Sequence, residues 1–320
     1  MKNFLWQIIS GAFVLGGLVV LAPGCTDANG ENTPREQLEE HPAIPDGNFG
    51  EYWYQGVAEL NRFALKQARY GEVREGDAVL IFVTEDFLAD EQVKLESAKD
   101  GRDAPSVLKM NFVKKFITGL YPYSMMTSVF TPVDQLAWPH SLKVTTSSQE
   151  WCGHTFTQLN RVDRGYRLRQ FSYFEKEGDL DQEVQPDLLE DEVWTRIRLN
   201  PDDLPEGEVN ILPGTMVSRL QHSRLVAVHA FAERSTTELE GEKVMRYTLR
   251  YEKPARTLSI DYRATFPYEI LAWSETYSDF GTELTTSAVR TDVMRINYWA
   301  KHGMMDTALR RQLGLASTRP

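Results

Sequence analysis

Alternation of apolar and polar residues dominates the later part of the chain. In VMRYTLRYEK, Tyr247, Leu249 and Tyr251 alternate with charged or hydroxyl-bearing residues, and TLSIDYRA repeats the pattern with Leu258 and Ile260. Successive side chains of a β-strand point to opposite faces, so this pattern predicts strands with one buried and one wet face. Short turn signals that contain Gly or Pro separate these segments, which favours a meander of antiparallel strands.

Earlier segments add further predicted strands. Residues 77–87 contain a continuous apolar run, which is typical of a strand covered on both sides. Residues 63–82 predict a hairpin that turns at REGD, residues 74–77. The other predicted strand segments are 106–119, 124–133, 142–159, 166–175, 207–213 and 224–234.

Two helices interrupt this pattern. In PDLLEDEVWTRIRLN, Leu189, Val193, Trp194 and Ile197 fall on one face, with acids in the first turn and Arg in the last. A second, short helix is predicted around 306–313. About ten strands and few helices predict a mainly β fold: a single large curved antiparallel sheet, as a barrel or half-barrel, with a helix packed in its mouth.

The amino-terminal segment has the order of an export signal. Lys2 precedes an apolar run over residues 4–22, and small residues then lead to Cys25. The segment resembles a bacterial lipoprotein signal, which implies that Cys25 receives lipid. A transmembrane anchor is the alternative, because a span needs roughly 20 apolar residues. The predicted division of the chain is a lipoprotein signal peptide over 1–24, a flexible tether over 25–47 and a single β-rich domain over 48–320.

Charge and cysteine content narrow the possible partners. The formal net charge is −11, and no run of Lys and Arg occurs that would bind phosphates. This acidic balance argues against a nucleic-acid partner. The chain has two cysteines, so Cys152 has no disulfide partner if Cys25 carries lipid. No cofactor-binding motif is found, and we predict no cofactor.

The segment SSQEWCGHTF, residues 147–156, holds the chemistry-bearing candidates. If Cys152 and His154 lie on one strand, their side chains share a face, and the imidazole can take the thiol proton. Glu150 is the local residue that would orient such a histidine, so these three are the candidate catalytic residues, although no catalytic set is complete. The alternatives are plain packing, or a ligand-binding wall made by Trp151, Cys152, His154 and Phe156.

Three other groups of residues are candidate sites. Aromatic clusters at 52–54, 121–123 and 298–299 could line an apolar pocket, but aromatic residues are also expected in a β core. The acidic run within 179–192 lacks the EF-hand spacing and favours a solvated face and a helix start over a calcium site. The six histidines are scattered without metal-binding spacing, so no metal site is predicted.

Three stretches carry a resemblance to a known family. GDAVLIFVTEDF, SVLKMNFVKKFITGLYPYSMM and SSQEWCGHTF resemble an uncharacterised family of bacterial envelope lipoproteins, over most of the mature chain. Its members often carry the label "septum formation inhibitor Maf". The Ser-x-Ser-Pro-Arg-Arg motif of true Maf nucleotide pyrophosphatases is absent. The resemblance therefore implies where the protein is located but does not indicate an activity. The layout is also similar in outline to the half-barrels of LolA- and LolB-type lipoprotein carriers, which implies architecture alone.

These observations favour one function over two others. The leading hypothesis is a noncatalytic envelope lipoprotein, anchored to a membrane through lipid on Cys25, that binds an apolar ligand or lipid in its concave face. The second is an accessory or structural subunit with an envelope protein partner. The third is a thiol-dependent enzyme that uses Cys152. In each case we expect an exported protein of the cell envelope, with the outer membrane favoured over the inner.

Overall fold

The computed structural model describes residues 48–97 and 101–315. Within these ranges, sixteen strands form one large sheet, accompanied by four short α-helices. The helices are α1 (Phe49–Trp53), α2 (Glu190–Leu199), α3 (Thr215–Gln221) and α4 (Thr307–Gln312). The strands are β1 (Ala58–Arg69), β2 (Glu72–Leu88), β3 (Val93–Lys94), β4 (Ser106–Thr118), β5 (Tyr121–Pro132), β6 (Lys143–Glu150), β7 (Gly153–Val162), β8 (Gly165–Ser172), β9 (Leu180–Val184), β10 (Leu188–Leu189), β11 (Gly207–Leu212), β12 (Val228–Leu239), β13 (Glu242–Glu252), β14 (Ala255–Tyr262), β15 (Ile270–Asp279) and β16 (Thr282–Ile296).

The strand order shows a curled but open sheet. It runs β10-β11-β12-β13-β14-β15-β16-β1-β2-β4-β5-β6-β7-β8-β9, and β3 pairs with β2 beside this path. Neighbouring strands are antiparallel except for β10 and β11, which are parallel. The sheet is not closed into a barrel, because β9 and β10 form its two edges. The predicted mainly β fold with one large curved sheet and a few short helices is confirmed, in its open form.

The hairpins define two rims of this sheet. Rim A is the end at which β1 begins at Ala58, and rim B is the end at which β1 ends at Arg69. The turns at rim B are Tyr70–Gly71, Gly119–Leu120, Trp151–Cys152, Lys253–Pro254 and Phe280–Gly281, with the longer connection 173–179. The connections at rim A include 133–142, Asp163–Arg164, Glu240–Gly241 and 263–269.

Helices α2 and α3 fill the interior of the curled sheet. Trp194 of α2 packs on Phe112 of β4 and on Trp273 of β15, with ring centroids 5.1 and 5.4 Å away. The start of α2 meets the start of α3, where the backbone N–H of Thr215 donates to Asp191 at 3.0 Å. One continuous core therefore joins both helices to the inner face of the sheet.

A buried ion pair ties the end of α2 to the sheet near rim A. The guanidinium of Arg198 donates to both carboxylate oxygens of Glu59, at 2.5 and 2.9 Å, and both side chains are fully buried. Arg198 also lies over the rings of Trp53 and Phe82, 4.9 and 4.7 Å from their centroids. Burial alone would raise the pKa of Glu59, but the charge and hydrogen bonds of Arg198 outweigh it and lower the pKa to about 2.

Two expectations about local structure need correction, and one helix was not expected. The first hairpin turns at Tyr70–Gly71 and not at REGD, because β1 and β2 pair in register from Arg69 opposite Glu72 onwards. Helix α3 was not predicted, since its seven residues are too few for a clear apolar period. The end of the acidic run is not a solvated face: Glu190, Asp191 and Glu192 are buried inside the sheet.

We expect Glu59→Gln to lower the free energy of unfolding by about 3–5 kcal/mol at pH 7, because it leaves the Arg198 charge buried without its partner. The double variant Glu59→Leu/Arg198→Met should lose less, since neither charge remains. The folded pKa of Glu59 lies below its ordinary value, so its stabilising contribution is present above about pH 4.5 and is lost as the pH falls towards 2. Urea unfolding at several pH values measures both effects. A double variant as unstable as the single one would contradict this account.

Candidate ligand cleft and the buried charges behind it

A cleft of about 330 Å³ opens at rim A. Three connections form it: the segment after β2, the connection from β5 to β6 and the turn from β7 to β8. This volume lies at the lower end of the range for small-molecule sites. Six of its lining side chains carry polar groups or an aromatic ring: Asp90, Gln92, Trp138, His140, Arg161 and Asp163.

Gln92 fixes one wall of the cleft. Its backbone has a left-handed conformation, with φ of 53°. Its side chain donates to the carbonyl of Arg161 at 2.7 Å and accepts from Asn160 at 2.8 Å, and its own carbonyl accepts from Lys143 at 3.0 Å. These three bonds tie the segment after β2 to β6 and β7, so the two walls keep a fixed separation.

The floor of the cleft is a histidine backed by a buried acid. Nδ1 of His140 lies 3.7 Å from Oε1 of Glu192, whose side chain is fully buried in the first turn of α2. Glu192 also accepts hydrogen bonds from the backbone N–H groups of Ser141 and Leu189, at 2.8 and 3.2 Å. Burial alone would raise the pKa of Glu192, but His140, Arg196 and the Ser141 N–H together lower it. The carboxylate of Glu192 thus lies directly behind the ring of His140.

The remaining polar groups leave both charge signs available to a ligand. The guanidinium of Arg161 donates to the carbonyl of Gly165 at 3.4 Å and forms no ion pair within the described ranges. Asp90 and Asp163 are exposed, and Trp138 is half-buried. Trp138 packs against the small apolar cluster below the cleft. The cleft thus combines a guanidinium, an imidazole, two carboxyl groups and one indole ring.

The interior of the sheet offers far less room than the cleft. Between the helices and the inner face lies a cavity of about 30 Å³, lined by Lys114, Asp191, Trp194 and Trp273 among others. That volume holds a water molecule or two but no acyl chain. The expectation of an apolar ligand in the concave face stays a prediction.

Charged groups surround this small interior cavity. Lys114 is 3% exposed, and burial lowers its pKa while Glu275 and Glu190 oppose that shift. Arg256 donates to Glu275 at 2.6 Å and also pairs with Glu190. Burial raises the pKa of Asp191 to about 7, against the opposing hydrogen bonds from Thr215. Two basic and three acidic side chains thus meet in one layer.

The structure separates the residues that the sequence grouped around Cys152. Trp151 and Cys152 form the exposed two-residue turn between β6 and β7, so Cys152 and His154 do not share a strand face. His154 and Phe156 point outward, opposite to the buried side chains of the same strand. The four predicted ligand-binding residues therefore lie at rim B or on the outer surface, not on the concave face. Their binding role stays a prediction.

Glu150 does not act as a partner for His154 either. It points inward, lies 3.5 Å from Arg219, and accepts from the backbone N–H of Cys152 at 2.6 Å. The hydrogen bond and the charge of Glu150 raise the pKa of the exposed Cys152 thiol. An activated nucleophile requires the opposite shift.

Comparisons with family models, with curated proteins and with solved structures find no match to this chain. The predicted lipid acceptor Cys25 lies outside the described residues. Across 48–97 and 101–315, no group of three or more His, Cys, Asp and Glu residues is placed to hold a metal ion. The helices in those ranges include none that is long and apolar enough to cross a bilayer.

Sequence reasoning missed the cleft because its walls come from distant parts of the chain. Gln92, His140 and Arg161 meet only once β6 has paired with β7 and the segment after β2 has folded over them. One local signal was present. Trp138, Pro139 and His140 occur in one of the longer connections of the sheet, and such connections often carry binding residues.

Asp191→Asn should flatten the dependence of stability on pH. The folded pKa of Asp191, about 7, exceeds its ordinary 3.8, so the folded state holds a proton between pH 4 and 7 that the unfolded chain releases. Stability therefore falls as the pH rises through this window, by about 4 kcal/mol at most. The amide removes this loss, and the variant should gain stability relative to wild type at pH 8. Urea unfolding from pH 4 to 8 measures it, with exposed Asp181→Asn as control. An unchanged slope in Asp191→Asn would refute the assignment.

Cys152 should be accessible but slow to alkylate. Iodoacetamide should modify it in the folded protein more slowly at pH 7.5 than it modifies a model thiol, because the raised pKa leaves less thiolate. Glu150→Gln should speed the reaction a few-fold by removing the adjacent charge, whereas the exposed Glu175→Gln should not. Mass spectrometry over time gives the rates. Faster alkylation of wild type than of the model thiol would instead favour a reactive cysteine.

Proposed function

We propose that this chain is a lipid-anchored protein of the bacterial cell envelope that binds a small zwitterionic molecule in the cleft at rim A. The cleft carries the proposal, because it combines ligand-sized volume with cationic, anionic and aromatic groups. The anchoring part is supported by the apolar run that ends in small residues and Cys25. This proposal places the binding site at rim A, whereas the sequence alone favours the concave face.

The lining residues suggest how such a molecule would lie. A carboxylate would pair with Arg161, which has no acidic partner in the described ranges, and would accept a hydrogen bond from the ring of His140. An ammonium group would face Asp90 and Asp163. The apolar part would cover the ring of Trp138. An amino acid or a dipeptide has this distribution of charge and a size that suits 330 Å³.

The same lining favours binding over catalysis. Its side chains, as far as the structure describes them, include no serine, threonine, cysteine, tyrosine or lysine that would attack a bound molecule. The histidine on the floor lies 3.7 Å from the buried carboxylate of Glu192, which holds its ring in place. Both features suit a site that holds a ligand and releases it unchanged.

A panel of free amino acids and dipeptides tests this function. At least one zwitterion should raise the melting temperature of the protein, and its amidated and acetylated forms should raise it less, because each loses one charge. Arg161→Gln should weaken binding at least tenfold, as expected for a lost charge-assisted hydrogen bond. Isothermal titration calorimetry measures the affinities.

The matched control for this variant is Arg167→Gln. Arg167 lies on β8, is half-exposed and pairs with Asp181 outside the cleft. It should bind the ligand as wild type does. Equal losses in Arg161→Gln and Arg167→Gln would contradict the cleft as the site, and so would a panel in which no member shifts the melting temperature.

A further inference from the structure

Large apolar side chains stand at the tips of consecutive hairpins along rim B. The hairpins β15–β16, β4–β5 and β6–β7 present Phe280, Leu120 and Trp151, which are 75%, 79% and 67% exposed. The connection from β8 to β9 presents Tyr173, 72% exposed. Tyr70 at the tip of β1–β2 lies between the first two and is half-buried. In the order of the sheet, these five hairpins follow one another without a gap.

Aromatic contacts join most of these tips into a continuous surface. The ring of Phe280 lies 5.3 Å from that of Tyr70, and the hydroxyl of Tyr121 donates to the hydroxyl of Tyr70 at 3.1 Å. The ring of Tyr121 lies 6.4 Å from that of Trp151. Beneath them, the guanidinium of Arg69 lies 4.1 Å from the ring centroid of Tyr70. We call this surface the aromatic arc, and its members are Tyr70, Leu120, Tyr121, Trp151, Tyr173 and Phe280.

The geometry of the turns does not account for these residues. Gly, Asn and Asp are the usual residues of tight hairpin turns, and Tyr70 and Phe280 adopt left-handed φ values of 59° and 52° that aromatic residues disfavour. At rim A the corresponding two-residue turns are Asp163–Arg164 and Glu240–Gly241, which are polar. The aromatic side chains of Tyr70 and Phe280 therefore go beyond what their turns require.

We infer that the aromatic arc docks on the surface of a lipid bilayer. Trp and Tyr favour the boundary between lipid headgroups and acyl chains, while exposed Phe and Leu side chains gain by leaving water. Exposed charges of both signs flank the arc, among them Lys253, Lys176, Glu72 and Glu283. With a net charge of −11 as well, apolar insertion and not attraction to anionic lipid must drive the contact.

The tether is long enough for rim B to face the bilayer that holds the lipid on Cys25. The described part of the domain begins at residue 48. Helix α1 follows and leads into β1, which begins at rim A. The twelve residues of β1 span about 40 Å from rim to rim. The 23 residues from Cys25 to Gly47 reach at most about 75 Å when extended. A lipid on Cys25 can thus sit in the same bilayer that rim B touches. This step rests on the anchoring part of the proposed function.

Cys152 lies next to Trp151 in the arc and offers a thiol to which a probe can be attached. In the mature full-length chain, we would attach an environment-sensitive fluorophore to Cys152 and add phosphatidylcholine–phosphatidylethanolamine vesicles. We expect a blue shift, quenching by spin-labelled lipid, and little change with salt or with added phosphatidylglycerol. The same fluorophore in Cys152→Ser/Arg164→Cys, exposed at rim A beside the cleft lining, should stay in water. A probe on Cys152 that stays in water on these vesicles would overturn the inference.

A variant of the tips separates insertion from mere proximity. Leu120→Asn/Phe280→Asn removes two exposed apolar side chains, and Asn tolerates the left-handed turn at 280. It should weaken the vesicle contact of the probe at least tenfold, with only a small fall in the melting temperature from the lost contact of Phe280 with Tyr70. Met304→Ser/Met305→Ser is the matched control, because these side chains are 90% and 92% exposed but lie outside the arc. Equal losses in both variants would refute the role of the arc.

The failure of this inference can be told apart from that of the proposed function. The intact mass of the mature chain shows whether Cys25 carries lipid, and titration of the cleft shows whether it binds a zwitterion; neither depends on the probe at Cys152. A blue shift without vesicles that grows with protein concentration would mean that the arc binds a second copy of this chain, which would overturn docking on lipid.

Discussion

The burial of charge inside the curled sheet is the constraint on which the rest of the structure depends. The inner face carries Glu59 and Arg256, and a buried ion without a partner costs several kcal/mol. Helix α2 meets both, with Glu190 near its start on Arg256 and Arg198 near its end on Glu59. Electrostatic pairing at two ends thus fixes the helix along the interior, while Trp194 packs between them.

This arrangement decides where the molecule can meet other molecules. A sheet lined only by apolar side chains can open to hold a lipid, but opening this one would strip paired charges of their partners. Helices α2 and α3 occupy the interior, and surfaces of different chemistry lie at the rims: a charged cleft at rim A and aromatic tips at rim B. Docking through rim B would leave the cleft about 40 Å from the bilayer, open to the aqueous side.

The sequence predicts the fold where each strand has one clean apolar face. Segments such as Tyr247–Tyr251 alternate strictly and form β13, and the apolar stripe with Trp194 forms α2. The sequence does not predict contacts between residues that are far apart in the chain. The burial of Glu190 depends on Arg256, 66 residues later, and the cleft depends on a strand pairing that brings Arg161 to His140. Neither leaves a local pattern, since charge normally indicates a wet face.

Cys152 and His154 are two apart in sequence but do not share a face of the sheet. Residues two apart share a face only when both lie on the same strand. Cys152 lies in the two-residue turn Trp151–Cys152 and His154 lies on β7, so the rule does not apply to them. What remains informative is exposure. Side chains on the inner face are explained by the packing and charge pairing they provide, so they need no further role. Trp151 and Phe280 are exposed at turns that polar residues would form equally well, so folding does not explain them. Residues that stability does not require are the ones whose chemistry points to function.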